Sequence, residues 1–262
     1  MSFDLQTFVE TSEPVGWDDL DFDLFDSEPL SPEILRSIRY MCDVEYHTSC
    51  YLRDLLVTPS HREEAAGSFM TTWNREEFWH GEALAAVLQR HGIVVDFSEL
   101  KGKRVKLGWY QTLAPFKQSL LSNFVGEDFV AVHMAWGAAN ELSAVAAYRR
   151  LSDMAQHPAL SPLLKRIGQQ ETRHVAFYTT QARKRLENSS KARIATRLAL
   201  GKAWRPVGSG IMDEPEVEHV MRHLFHGRGA DVDSLDKRVQ RLPGLEGMTI
   251  FRTAFERLEI AL

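Results

Sequence analysis

The sequence contains few of the residues that build cysteine-stabilised or membrane-spanning proteins. Only 2 of its 262 residues are cysteines, Cys42 and Cys50, and they lie on one predicted helix. They are too far apart for a disulfide bond with each other, and their spacing is not typical of zinc ligands. Polar residues interrupt every apolar run well before the roughly 20 residues that a membrane helix requires. No basic and apolar signal sequence opens the chain, so we expect a globular protein of a reducing compartment, the cytoplasm.

Positive charge is absent from the first 33 residues, which hold ten acidic residues and no lysine or arginine. The formal net charge is −5, so the remaining chain, with 31 basic residues against the other 26 acidic ones, is mildly basic. Aromatic residues are interleaved with these acids, and such a segment either docks onto the basic body or stays solvated. We interpret it as a solvated arm. No clustered basic and aromatic face follows it, so we expect no nucleic-acid partner.

Helix start and stop signals divide residues 31–187 into four long predicted helices. Ser31 and Pro32 begin the first, which extends to about residue 57, and Gly92 ends the second, which covers 62–91. A connection over 92–126 contains a basic segment and a predicted short helix around 113–124. The third and fourth helices cover about 127–156 and 160–186. Further helices are predicted at 191–205, 214–227 and within 233–262, and there is no strand pattern.

These patterns predict an all-α fold in which a long crossover joins two helix pairs. We divide the chain into an acidic N-terminal arm (1–30), a four-helix bundle (31–187) and a C-terminal helical extension packed on the bundle (188–262). The length and the 44% apolar content allow one substantial core.

A carboxylate and an imidazole interrupt the apolar stripe of the second predicted helix. Glu77 and His80 are three residues apart, so their side chains lie on the same helix face, one turn from each other. Residues at helical spacing along that face are Met70, Trp73, Glu77, His80, Leu84 and Val87. A charged group in a core stripe is costly unless it is paired or binds a metal ion.

Two more Glu-x-x-His pairs occur, in different settings. Glu171 and His174 lie in the middle of the apolar stripe of the fourth predicted helix. Glu216 and His219 follow Pro215 directly, in the first turn of a predicted helix, where the helix dipole favours acidic residues. We interpret this last pair as a capping feature, and the first two pairs as candidate metal ligands.

The first and third predicted helices each carry a single acid in the core stripe, Glu45 and Glu141. In an antiparallel hairpin, Glu45 and Glu77 both lie about 20 Å from the turn, at 1.5 Å per residue, and therefore meet at one level. The same holds for Glu141 and Glu171. Four carboxylates and two imidazoles thus converge in the bundle, and this is the ligand set of dinuclear carboxylate proteins of the ferritin-like class. The candidate ligands are Glu45, Glu77, His80, Glu141, Glu171 and His174.

Ordinary buried ion pairs are the alternative explanation of these residues. The apolar stripes contain no lysine or arginine that could neutralise four acids, and unpaired buried carboxylates repel one another. We therefore predict a ferritin-like four-helix bundle that binds two metal ions. Oxygen and nitrogen ligands without cysteine favour iron or manganese over a structural zinc ion.

Two sequence motifs resemble those of a known enzyme family. The run EEFWHGEAL at 76–84 resembles the EExxHG motif of the soluble acyl-carrier-protein desaturases, and ETRH at 171–174, followed by Tyr178, resembles their second motif, ExRH. The resemblance covers residues 31–187, with a weaker likeness at 241–245.

The resemblance implies that the six candidate residues bind two iron ions, with manganese as a possible substitute. It implies an oxidase that takes electrons from a ferredoxin-type donor, activates dioxygen and desaturates a fatty acyl chain on acyl carrier protein. It also implies a homodimer. For the carrier we expect docking on the basic segment Lys101, Lys103, Arg104 and Lys106, with Arg183, Lys184 and Arg185 as the next candidate cluster.

The chain departs from the desaturase pattern near the predicted ligands. Gln170 replaces an acid that supports a ligand histidine in the family, and Ala144 replaces a threonine associated with oxygen and proton handling. With Gly137 on the other side, Glu141 is flanked by small residues, so we expect a wider pocket. These differences keep a related oxygenase, a hydroxylase or an N-oxygenase, open as the alternative.

The N-oxygenase alternative is weakened without being excluded, and two further possibilities are disfavoured. An N-oxygenase has an extra histidine where Ile167 stands. A ribonucleotide reductase small subunit has a radical tyrosine where Leu84 stands. Iron-storage and ferroxidase subunits are close in length to the bundle alone, without this C-terminal third.

Overall fold

The computed structural model describes residues 3–96, 122 and 125–262. The basic segment at 101–106 and almost all of the short helix predicted around 113–124 lie outside the described residues. Within these ranges the structure is helical and contains no β-strand, which confirms the all-α prediction. No helix in the described ranges is both long and apolar enough to cross a membrane.

Ten α-helices account for most of the described residues. The N-terminal arm contains α1 (Leu5–Glu10) and α2 (Leu24–Ser27). The four long helices are α3 (Pro32–Leu55), α4 (Glu64–Arg90), α5 (Phe129–Ala155) and α6 (Leu160–Asn188). The C-terminal helices are α7 (Ser190–Ala203), α8 (Glu214–Phe225), α9 (Gly229–Val239) and α10 (Ile250–Arg257).

The predicted capping residues explain where the long helices begin and end. The Ser31 hydroxyl accepts a hydrogen bond from the Ile34 amide at 3.3 Å, and Pro32 occupies the first turn of α3. Gly92 has a φ angle of +75°, a left-handed conformation that glycine adopts without a Cβ penalty, directly after α4. The bounds of all four long helices agree with the predicted ones to within about two residues, the usual uncertainty of helix ends.

The long helices form two hairpins that share one core. Helix α3 packs along α4, and α5 packs along α6, while α4 also contacts α6 and α3 contacts α5. The C-terminal helices extend this core, because α7, α8 and α9 pack on α5 and α10 packs on α9. Trp204, which follows α7, is buried and donates a hydrogen bond from Nε1 to Asn140 of α5 at 3.0 Å.

The N-terminal arm is docked on the bundle, so the interpretation of a solvated arm is wrong. Phe8 is only 3% exposed and packs against Phe69 of α4, with ring centroids 5.2 Å apart. Arg166 of α6 binds the Asp19 carboxylate with two hydrogen bonds, at 2.7 and 2.6 Å. The interleaved pattern explains this outcome, because the arm's aromatic residues enter the core while its acids pair with arginines of the bundle.

Phe8 should contribute much of the arm's docking energy. We expect Phe8→Ala to lower the free energy of unfolding by about 3 kcal/mol, the usual cost of deleting a buried phenylalanine ring. Asp19→Asn is the control, because its ion pair is exposed and screened by solvent, so unfolding should change little. Denaturant unfolding measures both variants. Equal stability of Phe8→Ala and the unaltered protein would show that the arm is not part of the cooperative fold.

Candidate metal centre

The six predicted ligands converge at one level of the bundle. Helix α3 contributes Glu45, α4 contributes Glu77 and His80, α5 contributes Glu141, and α6 contributes Glu171 and His174. All six are buried, and none is more than 5% exposed. Their donor atoms form two groups of four, and within each group all four atoms lie within 4.8 Å of one another. Among the described residues these are the two clusters that could hold a metal ion.

Glu77 and Glu171 belong to both groups. One group adds Glu45 and His80, and the other adds Glu141 and His174. The first and third long helices therefore each supply one carboxylate to a single group, while the second and fourth each supply a carboxylate that both groups share. This arrangement matches a dinuclear site with two bridging carboxylates.

Both histidines direct Nδ1 towards the carboxylates. His174 Nδ1 lies 2.9 Å from Glu171 Oε2 and 3.2 Å from Glu77 Oε1. His80 Nδ1 lies 3.2 Å from Glu171 Oε1 and 3.9 Å from Glu45 Oε2. The two Nδ1 atoms thus contact different oxygens of the shared Glu171 carboxylate, as ligands of two neighbouring positions would.

The outward nitrogen of each histidine is held by a side chain of another helix. His174 Nε2 lies 2.7 Å from Glu76 Oε2, and the other oxygen of Glu76 binds Arg173 at 2.5 Å. His80 Nε2 lies 2.8 Å from Gln170 Oε1. Partners of this kind orient ligand histidines and set which nitrogen carries the proton.

Sequence reasoning missed the role of Glu76 and underestimated Gln170. Glu76 is fully buried, and the doubled acid of the EE motif was the available signal for it. The substitution of an acid by Gln170 did not remove support from a histidine, because the amide oxygen still contacts His80.

The two unshared carboxylates are also held by hydrogen bonds. Tyr148 donates its hydroxyl hydrogen to Glu45 Oε1. Trp73 donates from Nε1 to Glu141 Oε1 at 3.0 Å. Each bond restricts rotation of its carboxylate and leaves the second oxygen directed towards the centre.

Burial and mutual repulsion raise the pKa of three of the four carboxyl groups. Desolvation is the main cause for Glu45, Glu77 and Glu141, and the charge of Glu171 adds to it in each case. Burial also acts to raise the pKa of Glu171, but the hydrogen bond with His174 and the positive charges of His174 and His80 outweigh it and lower the pKa. Of the four carboxyl groups, Glu171 is therefore the one whose surroundings favour the ionised form.

The pKa values of both histidines are raised, so their charged forms are favoured. Burial acts to lower the pKa of His174, but its hydrogen bonds to Glu171 and Glu76 outweigh that effect and raise the pKa to about 10. The pKa of His80 is also raised, with burial opposing and Glu171 and Glu45 favouring its charged form. Without metal ions, the protonated histidines therefore supply the positive charge beside the carboxylates. Bound metal ions would supply that charge instead.

Several polar atoms at the centre have no hydrogen-bond partner, which fits a metal site. Glu77 Oε1, His80 Nδ1 and Glu171 Oε1 are buried and form no hydrogen bond. Within the described part of the chain, the only cations that contact the four carboxylates are the two histidines. Buried oxygen and nitrogen atoms that lack hydrogen bonds and face one another are satisfied when a metal cation binds between them.

A cavity of about 280 Å³ reaches the cluster at Glu77 and Glu141. Aromatic residues form much of its wall, and Arg205 lies among its lining residues and is exposed. The aromatic residues are Tyr51, Trp73 and Trp136. A second cavity of about 600 Å³ shares Tyr51 and Trp136 with the first, so the two adjoin.

The small residues beside Glu141 act differently from one another. Ala144 is half-buried and lines the cavity, as expected for a pocket widened by a small side chain. Gly137 also lines the cavity, but a Cβ atom there would lie 2.3 Å from a ring carbon of Tyr178. The space beside Gly137 is therefore already occupied by the Tyr178 ring, and it is Ala144 that leaves room.

The third Glu-x-x-His pair lies away from this centre. Glu216 is in the first turn of α8 and forms an ion pair with Arg36 at 2.6 Å, on the surface. The predicted position of Glu216 in the first turn, next to Pro215, is confirmed, but among the described residues no side chain caps this helix start with a hydrogen bond.

The fold and the buried carboxylate cluster define a ferritin-like protein. No protein-family model matches the sequence, and no curated protein matches it either. Solved structures do match: one is a single-substitution variant of an R2-like ligand-binding oxidase with an aerobically reconstituted Mn/Fe cofactor. The TM-score is 0.54 at 16% identity, over 97% of this chain and 92% of that one. A second variant, with an Fe/Fe cofactor, has a TM-score of 0.53 at 17% identity, over 98% and 93% of the two chains.

These similarities confirm the ferritin-like fold that the sequence predicted. Identities of 16% and 17% are evidence for the fold. The neighbours are named as R2-like ligand-binding oxidases, a different name from the acyl-carrier-protein desaturases that the two motifs resemble.

Proposed function

We propose that the protein is an oxygen-dependent oxidase that binds two iron ions, with manganese able to replace iron. The observation that carries this proposal is the convergence of four carboxylates and two imidazoles in two overlapping groups, with three buried donor atoms left without hydrogen bonds. The ligand chemistry suits these metals. The structural neighbours carry Mn/Fe and Fe/Fe cofactors, which agrees with the proposed pair.

The two groups of donors assign a role to each ligand. Glu45 and His80 would hold one ion, Glu141 and His174 would hold the other, and Glu77 and Glu171 would contribute to both. Two ions in such a site supply the activation of dioxygen and the removal of electrons from a C–H bond. The list of proposed ligands is Glu45, Glu77, His80, Glu141, Glu171 and His174.

The protein's own contribution is to hold the ligands in place and to keep water out. Trp73 and Tyr148 restrain the two unshared carboxylates, and Glu76 and Gln170 restrain the two histidines. Ligands restrained in this way would keep a fixed arrangement around bound metal ions. The apolar wall of the cavity excludes water from the bond that reacts, which protects an oxidising centre from side reactions.

The substrate that best fits this cavity is a fatty acyl chain on acyl carrier protein. The cavity is largely apolar, and the adjoining 600 Å³ space extends it away from the cluster, as a long chain requires. Exposed Arg205 at its lining supplies a positive charge for contact with an acidic carrier protein. The desaturase-like motifs support desaturation, with electrons from a ferredoxin-type donor. The neighbouring oxidases are named as ligand-binding, in agreement with a molecule held near the metal ions.

An acidic carrier protein requires a basic surface on this chain. Arg183 and Lys184 of α6 are exposed and available for such a contact. Arg185 is less available, because its guanidinium forms an ion pair with Glu63. The basic segment at 101–106 lies outside the described residues and stays a proposed docking site. We also propose a homodimer, as the desaturase resemblance implies.

Ala144 and Gln170 leave oxygenation open as an alternative to desaturation. Desaturation and hydroxylation both begin with the removal of a hydrogen atom, and they differ in whether a second hydrogen is lost or oxygen is transferred. Neither Ala144 nor Gln170 has the hydroxyl or carboxyl group that the desaturase pattern places there to move protons. A related oxygenase, a hydroxylase or an N-oxygenase, is therefore the alternative.

Turnover with labelled oxygen separates these reactions. The protein is incubated with ferredoxin, its reductase, NADPH, acyl carrier protein bearing a fatty acyl chain, and oxygen-18, and the acyl product is analysed by mass spectrometry. We expect loss of two hydrogens without label. A labelled oxygen in the product would replace desaturase by oxygenase, and iron uptake without substrate turnover would favour iron storage.

Filling the cavity should stop turnover without disturbing the cluster. We expect Ala144→Phe to lower kcat/KM at least about tenfold, because a displaced substrate no longer presents its C–H bond to the centre. Metal content should stay at two ions per chain. Ala230→Phe is the matched control, since Ala230 is exposed in the first turn of α9. Full activity of Ala144→Phe would exclude this cavity as the substrate site.

A further inference from the structure

The two histidines of the centre are supported by the same construction, used twice. In each Glu-x-x-His motif, the residue before the shared glutamate reaches across to the histidine of the other motif. Glu76, before Glu77, contacts His174, and Gln170, before Glu171, contacts His80. The contact distances are nearly equal, 2.7 and 2.8 Å.

The chemistry of the two supports differs. Glu76 is a fully buried carboxylate, and Arg173 holds its second oxygen at 2.5 Å. Gln170 is a neutral amide. Its Nε2 donates to the backbone carbonyl of Glu13 in the arm at 2.9 Å, and this bond turns its Oε1 towards His80. One histidine is therefore backed by a charged acceptor and the other by an uncharged one.

A charged acceptor makes a histidine the better metal ligand. When Nε2–H donates to a carboxylate, electron density at Nδ1 rises, and Nδ1 is the atom that both histidines direct to the centre. Loss of such an outer partner typically lowers metal affinity about 10- to 100-fold. A neutral amide provides orientation but less of this electronic effect.

The remaining ligands do not offset this difference. Glu77 and Glu171 belong to both groups, so each supplies a carboxylate to both positions. Glu45 and Glu141 each accept one hydrogen bond from a neutral donor, Tyr148 or Trp73. Among the described side chains that contact the two histidines from outside the cluster, Glu76 is a carboxylate and Gln170 is a neutral amide, so the acceptor's charge distinguishes the two sides.

We propose that the two metal positions fill in a fixed order, the His174 position first, and that the difference between Glu76 and Gln170 sets this order. The inference rests on the proposed function, because it requires two metal ions to bind. It adds a role for two side chains that are not ligands: Glu76 strengthens one position, and Gln170 orients the histidine of the other. The centre is then able to hold two different metals in two distinguishable positions.

Manganese binding tests the order without any measurement of activity. Metal-free protein is titrated with Mn²⁺ under anaerobic conditions, and free Mn²⁺ is followed by electron paramagnetic resonance. We expect two steps whose dissociation constants differ about 10- to 100-fold. Crystals grown with one equivalent of Mn²⁺ should show anomalous scattering beside His174 in preference to His80.

Two variants assign the effect to the supporting residues. Glu76→Gln should weaken the first step about 10- to 100-fold and bring the two steps together. Gln170→Leu should weaken the second step and leave the first unchanged. Asp231→Asn, which removes an exposed carboxylate of α9 that pairs with Arg228, is the control and should alter neither step. Circular dichroism establishes that each variant is folded.

Each result decides a different question. No Mn²⁺ or Fe²⁺ binding by the unaltered protein would overturn the proposed function, and binding of a single ion would overturn its two-ion form. Two equal steps, or stronger scattering beside His80, would overturn the order while leaving the function intact. If Glu76→Gln loses Mn²⁺ affinity equally at both steps, that result would also contradict the proposed order. If Glu76→Gln does not fold, two measurements still decide the order of filling. They are the anomalous map of the unaltered protein and the Mn²⁺ titration of Gln170→Leu.

Discussion

Replacement of both shared carboxylates, Glu77→Ala together with Glu171→Ala, should reduce the metal content from two ions per chain to none. These residues belong to both donor groups, so each proposed ion loses two of its four ligands. The remaining one carboxylate and one imidazole per position are too few to compete with water for iron or manganese. No other pair of substitutions among the six proposed ligands removes two ligands from each position.

Metal analysis of protein reconstituted with iron measures this effect, and near-ultraviolet absorption of the oxidised iron gives a second reading. Glu216→Ala together with His219→Ala is the matched control, because it removes an identical sequence motif from the surface of α8. The control should retain two ions. Full occupancy in the Glu77 and Glu171 variant, or one ion in the unaltered protein, would disprove the assignment of the site.

Metal binding should release protons, and metal affinity should therefore rise with pH. Glu77 and Glu141 have pKa values raised by burial and by neighbouring charge, and His174 has a pKa of about 10. Ligands must lose their protons before they bind a metal ion. Near neutral pH at least the His174 proton is displaced, so the association constant increases as the pH increases.

Calorimetric titration in two buffers of different ionisation enthalpy measures the protons released. The apparent binding enthalpy should differ between the buffers by an amount proportional to that number. Glu141→Gln should release fewer protons, because its side chain has no proton to lose and Trp73 can still donate to its oxygen. Identical enthalpies in both buffers would show that the ligands are already ionised.

The stability of the metal-free protein should change with pH in the opposite direction. The folded-state pKa values of Glu45, Glu77 and Glu141 lie above the ordinary value of 4.5. Their contribution is complete below 4.5 and is lost as the pH rises through the raised values. His174 acts in the same sense, with its contribution lost as the pH rises through about 10. Glu171, whose pKa is lowered, loses its contribution only on acidification below 4.5.

Thermal unfolding of the metal-free and metal-loaded protein across this range measures both effects. The Tm of the metal-free protein should fall from pH 4.5 upward, while the increase in Tm on adding metal should grow. Glu77→Gln removes one of the repelling carboxylates, so its metal-free Tm should depend less on pH. A metal-free Tm that rises with pH would mean that cations other than the two histidines neutralise the cluster.

Helical periodicity was sufficient to identify the candidate ligands, since an i and i+3 pair shares a helix face whatever that face contacts. Glu77 and His80 therefore point the same way, and the turn positions place Glu45 at the same level. The capping residues Ser31 and Gly92 also act locally, so the helix bounds followed from them. These features depend on residues a few positions apart, and a sequence records such distances directly.

The features that the sequence did not reveal all depend on contacts between distant residues. Glu76 meets His174 across 98 positions, and Gln170 meets His80 across 90. The docking of Phe8 on Phe69 and the filling of the space beside Gly137 by Tyr178 are contacts of the same kind.

By itself, the sequence determined the helices, their apolar faces and the residue types able to bind two metal ions, because these follow from local spacing and side-chain chemistry. Only the tertiary structure decided which carboxylates both groups share, which side chain supports each histidine, and where the N-terminal arm lies. Those outcomes depend on how the two hairpins are packed, and packing is set by the complementarity of whole surfaces, which no local pattern specifies.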